Sequence, residues 1–135
     1  MKDEHTFKIE KELKITTENI VDCVLCCEAG GFDYWGELCS DEKGYEAARQ
    51  RLTEREKADM KPCYEDVLAE ILESGGKLTV YDREDDKDHE LTMEKLLNGW
   101  KKYVEDYNAD DFDEYDEVSA DCIMQYAIFG EVIYG

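Results

Sequence analysis

The chain is 135 residues long, the size of one ordinary domain, and its 36 acidic and 16 basic side chains give a formal net charge of −20. A direct nucleic-acid binder needs a basic face for the phosphates, and an anionic membrane repels an acidic protein, so the charge argues against both functions. The sequence has no apolar run near the roughly 20 residues of a membrane span and no signal peptide, which predicts a cytoplasmic protein without membrane contact.

Two elements are predicted before the first aromatic stretch. Apolar and charged residues alternate over 7–15, which is typical of a strand with one half-buried face. Thr16 or Thr17 then caps a helix that runs to about Glu28. The aromatic stretch 32–35 follows on an irregular connection or a short element, and core packing is the favoured role for its rings over contact with a partner.

The middle of the chain predicts two helices and a hairpin. Residues 45–60 combine many charges with a thin apolar stripe, which is typical of a surface helix, and Pro62 ends that helix or starts the next one. A second amphipathic pattern predicts a helix over 64–72. Residues 77–81 and 90–92 are predicted strands on either side of a charged turn, which indicates a hairpin.

The last third gives the clearest helical pattern of the chain. Apolar residues recur at helical spacing over 93–107, directly after Thr92, which can cap the helix. Ser119 is predicted to cap a last helix that Gly130 ends, and residues 132–134 are predicted to close as a short strand.

These elements predict the fold class. The sequence has no internal repeat and no Pro- or Ser-rich linker that would divide it. We therefore expect a single compact acidic α+β domain over 1–135, with four to five helices packed on a small, mostly antiparallel sheet.

Acidic residues concentrate toward the end of the chain. No Lys or Arg follows Lys102, and the 33 residues after it carry ten acids. Eight of the thirteen residues from Glu105 to Glu117 are acidic and alternate with aromatic residues, and a second dense group lies on the predicted hairpin. The candidate partner-binding residues are therefore Glu105, Asp106, Asp110, Asp111, Asp113, Glu114, Asp116 and Glu117, helped by Asp82, Glu84, Asp85, Asp86 and Asp88.

Dense carboxylates of this kind resemble the phosphates of a nucleic acid. Duplex DNA carries about one charge per 1.7 Å of axis, and carboxylates one helical turn apart lie roughly 5–6 Å from each other. Arg binds carboxylate and phosphate through the same bidentate hydrogen bonds, and the interleaved aromatic residues could anchor a partner. The alternative is a solvated face that only keeps the protein soluble.

A calcium site is a further alternative for the same stretch. Three of its acids and one asparagine match positions 1, 3, 5 and 12 of an EF-hand loop, but position 6, which needs glycine for the sharp turn, is Asp111. The matching residues are Asp106, Asn108, Asp110 and Glu117.

Zinc is the alternative for the cysteines. Cys23 and Cys26 have the spacing of half a zinc site, and Cys39 and Cys63 could complete four ligands. Val24 and Leu25 place the first pair inside an apolar helical pattern, however, where cysteine usually packs as a small hydrophobe. We therefore assign no cofactor.

The sequence carries no catalytic signature. It has two histidines, His5 near a terminus and His89 inside the predicted acidic hairpin, and it lacks the glycine-rich and nucleophile motifs of common enzymes. A nucleophilic cysteine needs an electropositive setting, which a chain of this charge does not offer. We expect a non-enzyme.

Three stretches together carry a resemblance: 15–20 leading to 30–35, the strand 77–82 with the helix 92–104, and the ending 120–135. They resemble small acidic proteins encoded by phages and prophages of Gram-positive bacteria. The resemblance spans most of the chain outside 41–62 and implies no catalytic residue. It implies a product made inside a bacterium, where such proteins are often inhibitors of host nucleases, including anti-CRISPR and anti-restriction proteins.

The leading hypothesis is an interaction protein. It would bind a basic nucleic-acid-binding protein of the host, such as a CRISPR effector or a restriction nuclease, and block its nucleic-acid site. A metal-binding interaction module and a phage assembly accessory, whose charge serves solubility alone, are the alternatives. The sequence predicts neither the identity of the partner nor the oligomeric state.

Overall fold

The structure, a computed structural model, describes residue 5 and the ranges 11–26, 31–56 and 62–135. These residues form an α+β fold whose sheet is antiparallel, as the sequence predicted. Among the described residues, no helix has the length and apolar content to span a membrane. The helices are α1 (Thr17–Cys23), α2 (Glu42–Glu56), α3 (Tyr64–Glu73), α4 (Met93–Tyr107) and α5 (Glu117–Phe129), and the strands are β1 (Gly36–Cys39), β2 (Leu78–Asp82) and β3 (Lys87–Leu91).

The sheet has the strand order β1-β2-β3. Leu38 pairs with Val80, which pairs in turn with His89, so the three side chains share one face. Leu78 and Leu91 are buried on the same face, and α5 packs against β3. The strand β1 was not predicted, because four residues are too few to display an alternating pattern.

Helices α4 and α5 form the largest helix contact of the fold. A Cβ atom on Gly99 would overlap the backbone nitrogen of Ala127, so only glycine permits this close approach. The neighbouring Trp100 is fully buried and belongs to one core cluster that also includes side chains of α1, α3 and the sheet.

The helices α2 and α3 pack together at the side of this core. α2 buries only Ala48 and Leu52, which confirms a surface helix. Its arginines Arg51 and Arg55 reach the buried carboxylate of Glu70 on α3, at 3.3 and 2.9 Å. An ion-paired clasp therefore supplements the small apolar contact between the two helices.

Two predictions near the N-terminus are wrong. Residues 11–15 belong to no strand, while 7–10 lie outside the described residues. The alternation has another use there, because Leu13 and Ile15 line a groove beside α4. α1 begins after Thr16, whose hydroxyl accepts the N–H of Asn19 at 3.1 Å. It ends at Cys23 rather than near residue 28, since the next residue leaves helical geometry with φ −127°.

Two predictions near the C-terminus also need correction. Asp116, not Ser119, is the N-cap of α5, and Ser119 completes the capping box from the third helical position. Residues 132–134 form no strand, because the amide oxygen of Gln125 accepts the N–H groups of Ile133 and Tyr134, both at 2.9 Å. The prediction that Thr92 caps α4 is confirmed by the 3.3 Å bond from the N–H of Lys95.

Candidate protein-binding surface

The densest acidic stretch, Glu105–Glu117, is called the acidic segment below, and it joins the end of α4 to the start of α5. The turn begins at Asn108, which caps α4 in the left-handed conformation with φ 55°. Asn tolerates this conformation better than other non-glycine residues. The N–H of Ala109 then bonds to the carbonyl of Val104 at 3.2 Å, so the chain reverses direction within a few residues.

Aromatic side chains fix the path of the acidic segment. The indole N–H of Trp100 donates to the hydroxyl of Tyr115 at 3.1 Å, and that hydroxyl donates to the carbonyl of Ala109 at 2.6 Å. The ring of Phe112 lies 5.2 Å from that of Trp100. Burial raises the pKa of Tyr115 to about 12. The segment is thus bound to the core by its rings and presents a defined shape.

This use of the rings corrects part of the sequence interpretation. Phe112 and Tyr115 pack against the core instead of standing ready for a partner. Tyr107, at 58% exposure, is the exposed aromatic residue of the segment. The alternation of acids and aromatics therefore marks a surface whose aromatic side faces inward and whose acidic side faces water.

Three acids of the segment have structural partners. The carboxylate of Asp106 accepts the hydroxyl hydrogen of Tyr126 at 2.8 Å, and this contact adds to burial in raising the pKa of Tyr126. Asp111 accepts the N–H of Asp113 at 3.1 Å and so caps the 3₁₀-helix Phe112–Glu114. Asp116 caps α5. All eight acids of the segment are nevertheless exposed.

Within the described ranges, two lysines contact this segment. Lys11 lies 3.4 Å from Asp110, and Lys101 lies 3.8 Å from Glu105. The other three acids, Asp113, Glu114 and Glu117, have no hydrogen bond or ion pair from their side chains to any residue in the described ranges. They form the uncompensated part of the surface.

The hairpin acids are arranged differently. Asp82, at 1% exposure, lies on the core face of β2 and accepts the hydroxyl hydrogen of Tyr134 at 2.8 Å and the N–H of Glu84 at 3.0 Å. Its assignment as a partner-binding residue is wrong, because a partner cannot reach it. It anchors both the hairpin turn and the C-terminal residues.

The remaining hairpin candidates are exposed. Asp85 pairs with Lys87 at 3.3 Å, and Asp86 accepts the hydroxyl hydrogen of Tyr81. No partner within the described residues contacts the carboxylates of the other two, Glu84 and Asp88.

The hairpin and the acidic segment attach to different sides of α5. The hairpin connects through Tyr134, whose backbone is held by Gln125, whereas the segment connects through the bond between Asp106 and Tyr126. Consecutive residues of a helix point about 100° apart. At these contacts, the acids of the hairpin and those of the acidic segment therefore form two separate groups instead of one continuous array.

The stretch 32–35 is divided between the core and the surface. Phe32 and Trp35 are buried, with ring centroids 5.0 Å apart, and the indole N–H of Trp35 donates to Asp121 at 2.7 Å. Tyr34 is 88% exposed. Core packing is thus confirmed for two rings, while Tyr34 points to solvent.

The predicted metal ligands do not assemble. No group of three or more His, Cys, Asp or Glu side chains within the described ranges could hold a metal ion. Burial raises the pKa of Cys23 to about 11 and raises that of Cys26, which disfavours the thiolate that zinc requires. In the calcium candidate, Asp106 and Asp110 are turned to Tyr126 and Lys11.

His89 lies on the core side of the sheet. Its ring meets the ring of Phe129 edge to face at 5.3 Å, and its buried Nε2 atom has no hydrogen-bond partner. No nucleophile or carboxylate is bonded to it among the described residues. The histidine therefore packs as part of the contact between β3 and α5.

Comparison with protein-family models, with curated proteins and with solved structures finds no match to this chain. Evidence for a function comes from its own residues.

Proposed function

We propose that this protein inhibits a nucleic-acid-binding defence protein of a bacterial host by presenting the acidic segment in place of a nucleic acid. The target class is a CRISPR effector or a restriction nuclease. Under this proposal, the chain is a phage-type protein that acts in the host cytoplasm. It inhibits its target by protein-protein binding, without catalysis. The observation that carries the proposal is a set of eight exposed acids on a segment fixed by Trp100 and Tyr115.

The fixed path of the segment favours such binding. A flexible acidic tail would lose conformational entropy on binding, whereas a preformed array avoids most of that loss. The three uncompensated acids Asp113, Glu114 and Glu117 can accept the bidentate hydrogen bonds that Arg gives to phosphate. The Lys and Arg side chains with which the target binds a nucleic-acid backbone would then contact these carboxylates in place of phosphates.

The test is inhibition of DNA cleavage by purified CRISPR effectors and restriction nucleases. We expect the full chain to inhibit at least one of them in competition with DNA. Inhibition should weaken as salt rises, because exposed charges are screened beyond about 8–10 Å at physiological ionic strength.

A pair of charge-reversal variants locates the surface. Asp113→Lys with Glu114→Lys changes the acidic segment, and Glu84→Lys with Asp88→Lys makes the same charge change on the hairpin. The first pair should weaken inhibition at least about tenfold, and the second pair less than about threefold. Equal effects would indicate a response to net charge alone. No inhibition of any tested nuclease would favour a solubility role in phage assembly.

A further inference from the structure

A groove of about 460 Å³ runs between residues 11–15 and one side of α4. It lies beside the acidic segment, since Glu105 at the start of that segment is on its rim. Its walls are mainly apolar, and its lining residues are Leu13, Ile15, Leu97, Trp100 and Val104, with Lys11, Lys101 and Glu105 at the rim.

Two of the apolar side chains are accessible to a partner. Leu13 is 39% exposed and Leu97 is 38% exposed, and both face the same groove from opposite walls. Single exposed apolar residues are common on protein surfaces and need no explanation. Here they combine with Val104 into one concave site above the fully buried Trp100, in a chain of which 39% is charged.

The charges around the groove favour a cationic occupant. Both rim lysines are already paired, Lys101 with Glu105 and Lys11 with Asp110. The last turn of α4 has no basic residue, so the negative end of its helix dipole is uncompensated there. The acidic segment adjoins the groove through Glu105 and through Asp110, the partner of Lys11, and its uncompensated acids lie further along the same segment.

We propose that this groove is an anchoring site for a cationic amphipathic segment of the partner protein, whose apolar side chains enter the groove while its Lys and Arg side chains contact the acidic segment. The inference rests on the proposed function and adds the source of affinity. Exposed ion pairs contribute little each, whereas apolar anchors in a pocket dominate most interfaces.

The size of the groove sets the number of anchors. Its apolar lining on α4 extends from Leu97 to Val104, a rise of about 10 Å along the helix. This length matches two or three apolar side chains spaced three or four residues apart on a partner helix.

The test uses two peptide helices of about 18 residues with equal charge, one built from Lys and Leu and the other from Lys and Ala. Binding to the full chain is measured by calorimetry, and the site is located from amide shifts in NMR spectra. The Lys/Leu peptide should bind at least about tenfold more tightly than the Lys/Ala peptide, with shifts at Leu97 and Lys101.

Variants on and off the groove identify the site. Leu97→Ser and Leu13→Ser should each remove most of the advantage of the Lys/Leu peptide. Val118→Ser, a control at an exposed residue on α5, should leave it unchanged. Thermal unfolding of all three variants confirms that they fold.

Several results would overturn the inference. Equal affinity of the two peptides would leave no role for the groove. The same conclusion would follow if the Lys/Leu peptide still bound more tightly to both the Leu97→Ser and the Leu13→Ser variants. Self-association in sedimentation that Leu97→Ser abolishes would make the occupant a second copy of the chain. Inhibition of nucleases is a separate readout, so its failure affects the proposed function and is distinguishable from a failure here.

Discussion

Helix α2 and the acidic segment carry their charges in opposite ways. α2 has four acidic and four basic residues, and three of its arginines are paired within the helix or with α3. The acidic segment has eight acids and no base, and it receives cations only from Lys11 and Lys101 among the described residues. The thirteen residues of the acidic segment therefore contribute eight of the 20 net negative charges, whereas the fifteen residues of α2 contribute none.

The two regions also differ in how they are held. Ion pairs to Glu70 connect α2 to α3, with few buried apolar residues. The acidic segment is held by partly buried rings that pack against the core and by the close contact of α4 with α5. Repulsion between the acids is thus opposed by apolar packing behind them. The predictions below test this difference, beginning with the largest effect.

The same glycine substitution should have effects of very different size in the two regions. Gly99→Ala puts a methyl group against the backbone of α5, where neither helix can yield, and should lower the free energy of unfolding by about 3 kcal/mol. Gly44→Ala on α2 puts a methyl group 3.0 Å from the Asp41 carboxylate, which accepts the N–H of residue 44 at 2.6 Å. This crowding opposes the gain in helix propensity, so the free energy of unfolding should change by less than about 0.5 kcal/mol. Urea unfolding measures both. A loss below about 1 kcal/mol for Gly99→Ala would contradict the close approach of the helices.

The hydroxyl of Tyr115 is the next test. Tyr115→Phe removes a hydrogen bond to Ala109 and leaves the buried indole N–H of Trp100 without a partner, which should cost about 2 kcal/mol. Tyr64→Phe, which removes a longer bond at 3.3 Å to the carbonyl of Leu38, should cost less than about 1 kcal/mol.

Amide exchange shows where the effect of Tyr115→Phe lies. Faster exchange is expected at 109–116 and unchanged exchange in α2. Uniformly faster exchange would mean that the hydroxyl stabilises the whole domain, and it would remove the role assigned to it in shaping the acidic segment.

High pH should destabilise the region behind the acidic segment. Burial raises the pKa of Cys23 from 9.0 to about 11 and that of Tyr115 from 10.0 to about 12. The folded state keeps these protons where the unfolded state loses them. The contribution of these two groups to the free energy of unfolding is therefore complete below about pH 9 and is lost as the pH rises toward 12.

Unfolding measured between pH 8 and 12 tests this dependence. Tyr115→Phe should flatten the decline above pH 10. Part of the decline should remain, because the hydrogen bond to Asp82 also raises the pKa of Tyr134 to about 12. An unchanged slope in Tyr115→Phe would mean that its proton is not retained on folding.

The sequence predicted the long elements well. α4 was clear because spacings of three and four persist over its fifteen residues, and Thr92 has no competing cap nearby. The hairpin was clear because a charged turn separates two short predicted strands. Ser119 was preferred to Asp116 as the cap of α5 because the sequence does not distinguish the N-cap from the third helical position. The structure places Asp116 outside the helix, where its carboxylate meets two free N–H groups.

The candidate surface was predictable in composition and not in geometry. A local count of acids locates the acidic segment without any knowledge of the fold. It does not reveal that Asp82 faces the core, which follows instead from its place two residues after Val80 on the buried face of β2. The hydroxyl that bonds its buried carboxylate belongs to Tyr134 at the distant C-terminus, which no local pattern indicates. The groove beside α4 was missed because it also depends on a contact between distant parts of the sequence. It forms only where residues 11–15 pack beside a helix that begins about eighty positions later.

The smallest expected effect concerns the exposed charges themselves. Asp113→Asn with Glu114→Gln removes two like charges from the acidic segment and should stabilise the protein by about 0.5 kcal/mol at low salt. Glu46→Gln breaks the 2.9 Å pair with Arg49 on α2 and should destabilise it by about 0.3 kcal/mol. Thermal unfolding at low and at 1 M salt measures both, and high salt should remove both effects because the Debye length falls to about 3 Å. If the first variant were destabilised as well, the carboxylates of Asp113 and Glu114 would have favourable interactions in the folded state. The acids of the segment would then not repel one another, and the proposed affinity for a cationic partner would lose its basis.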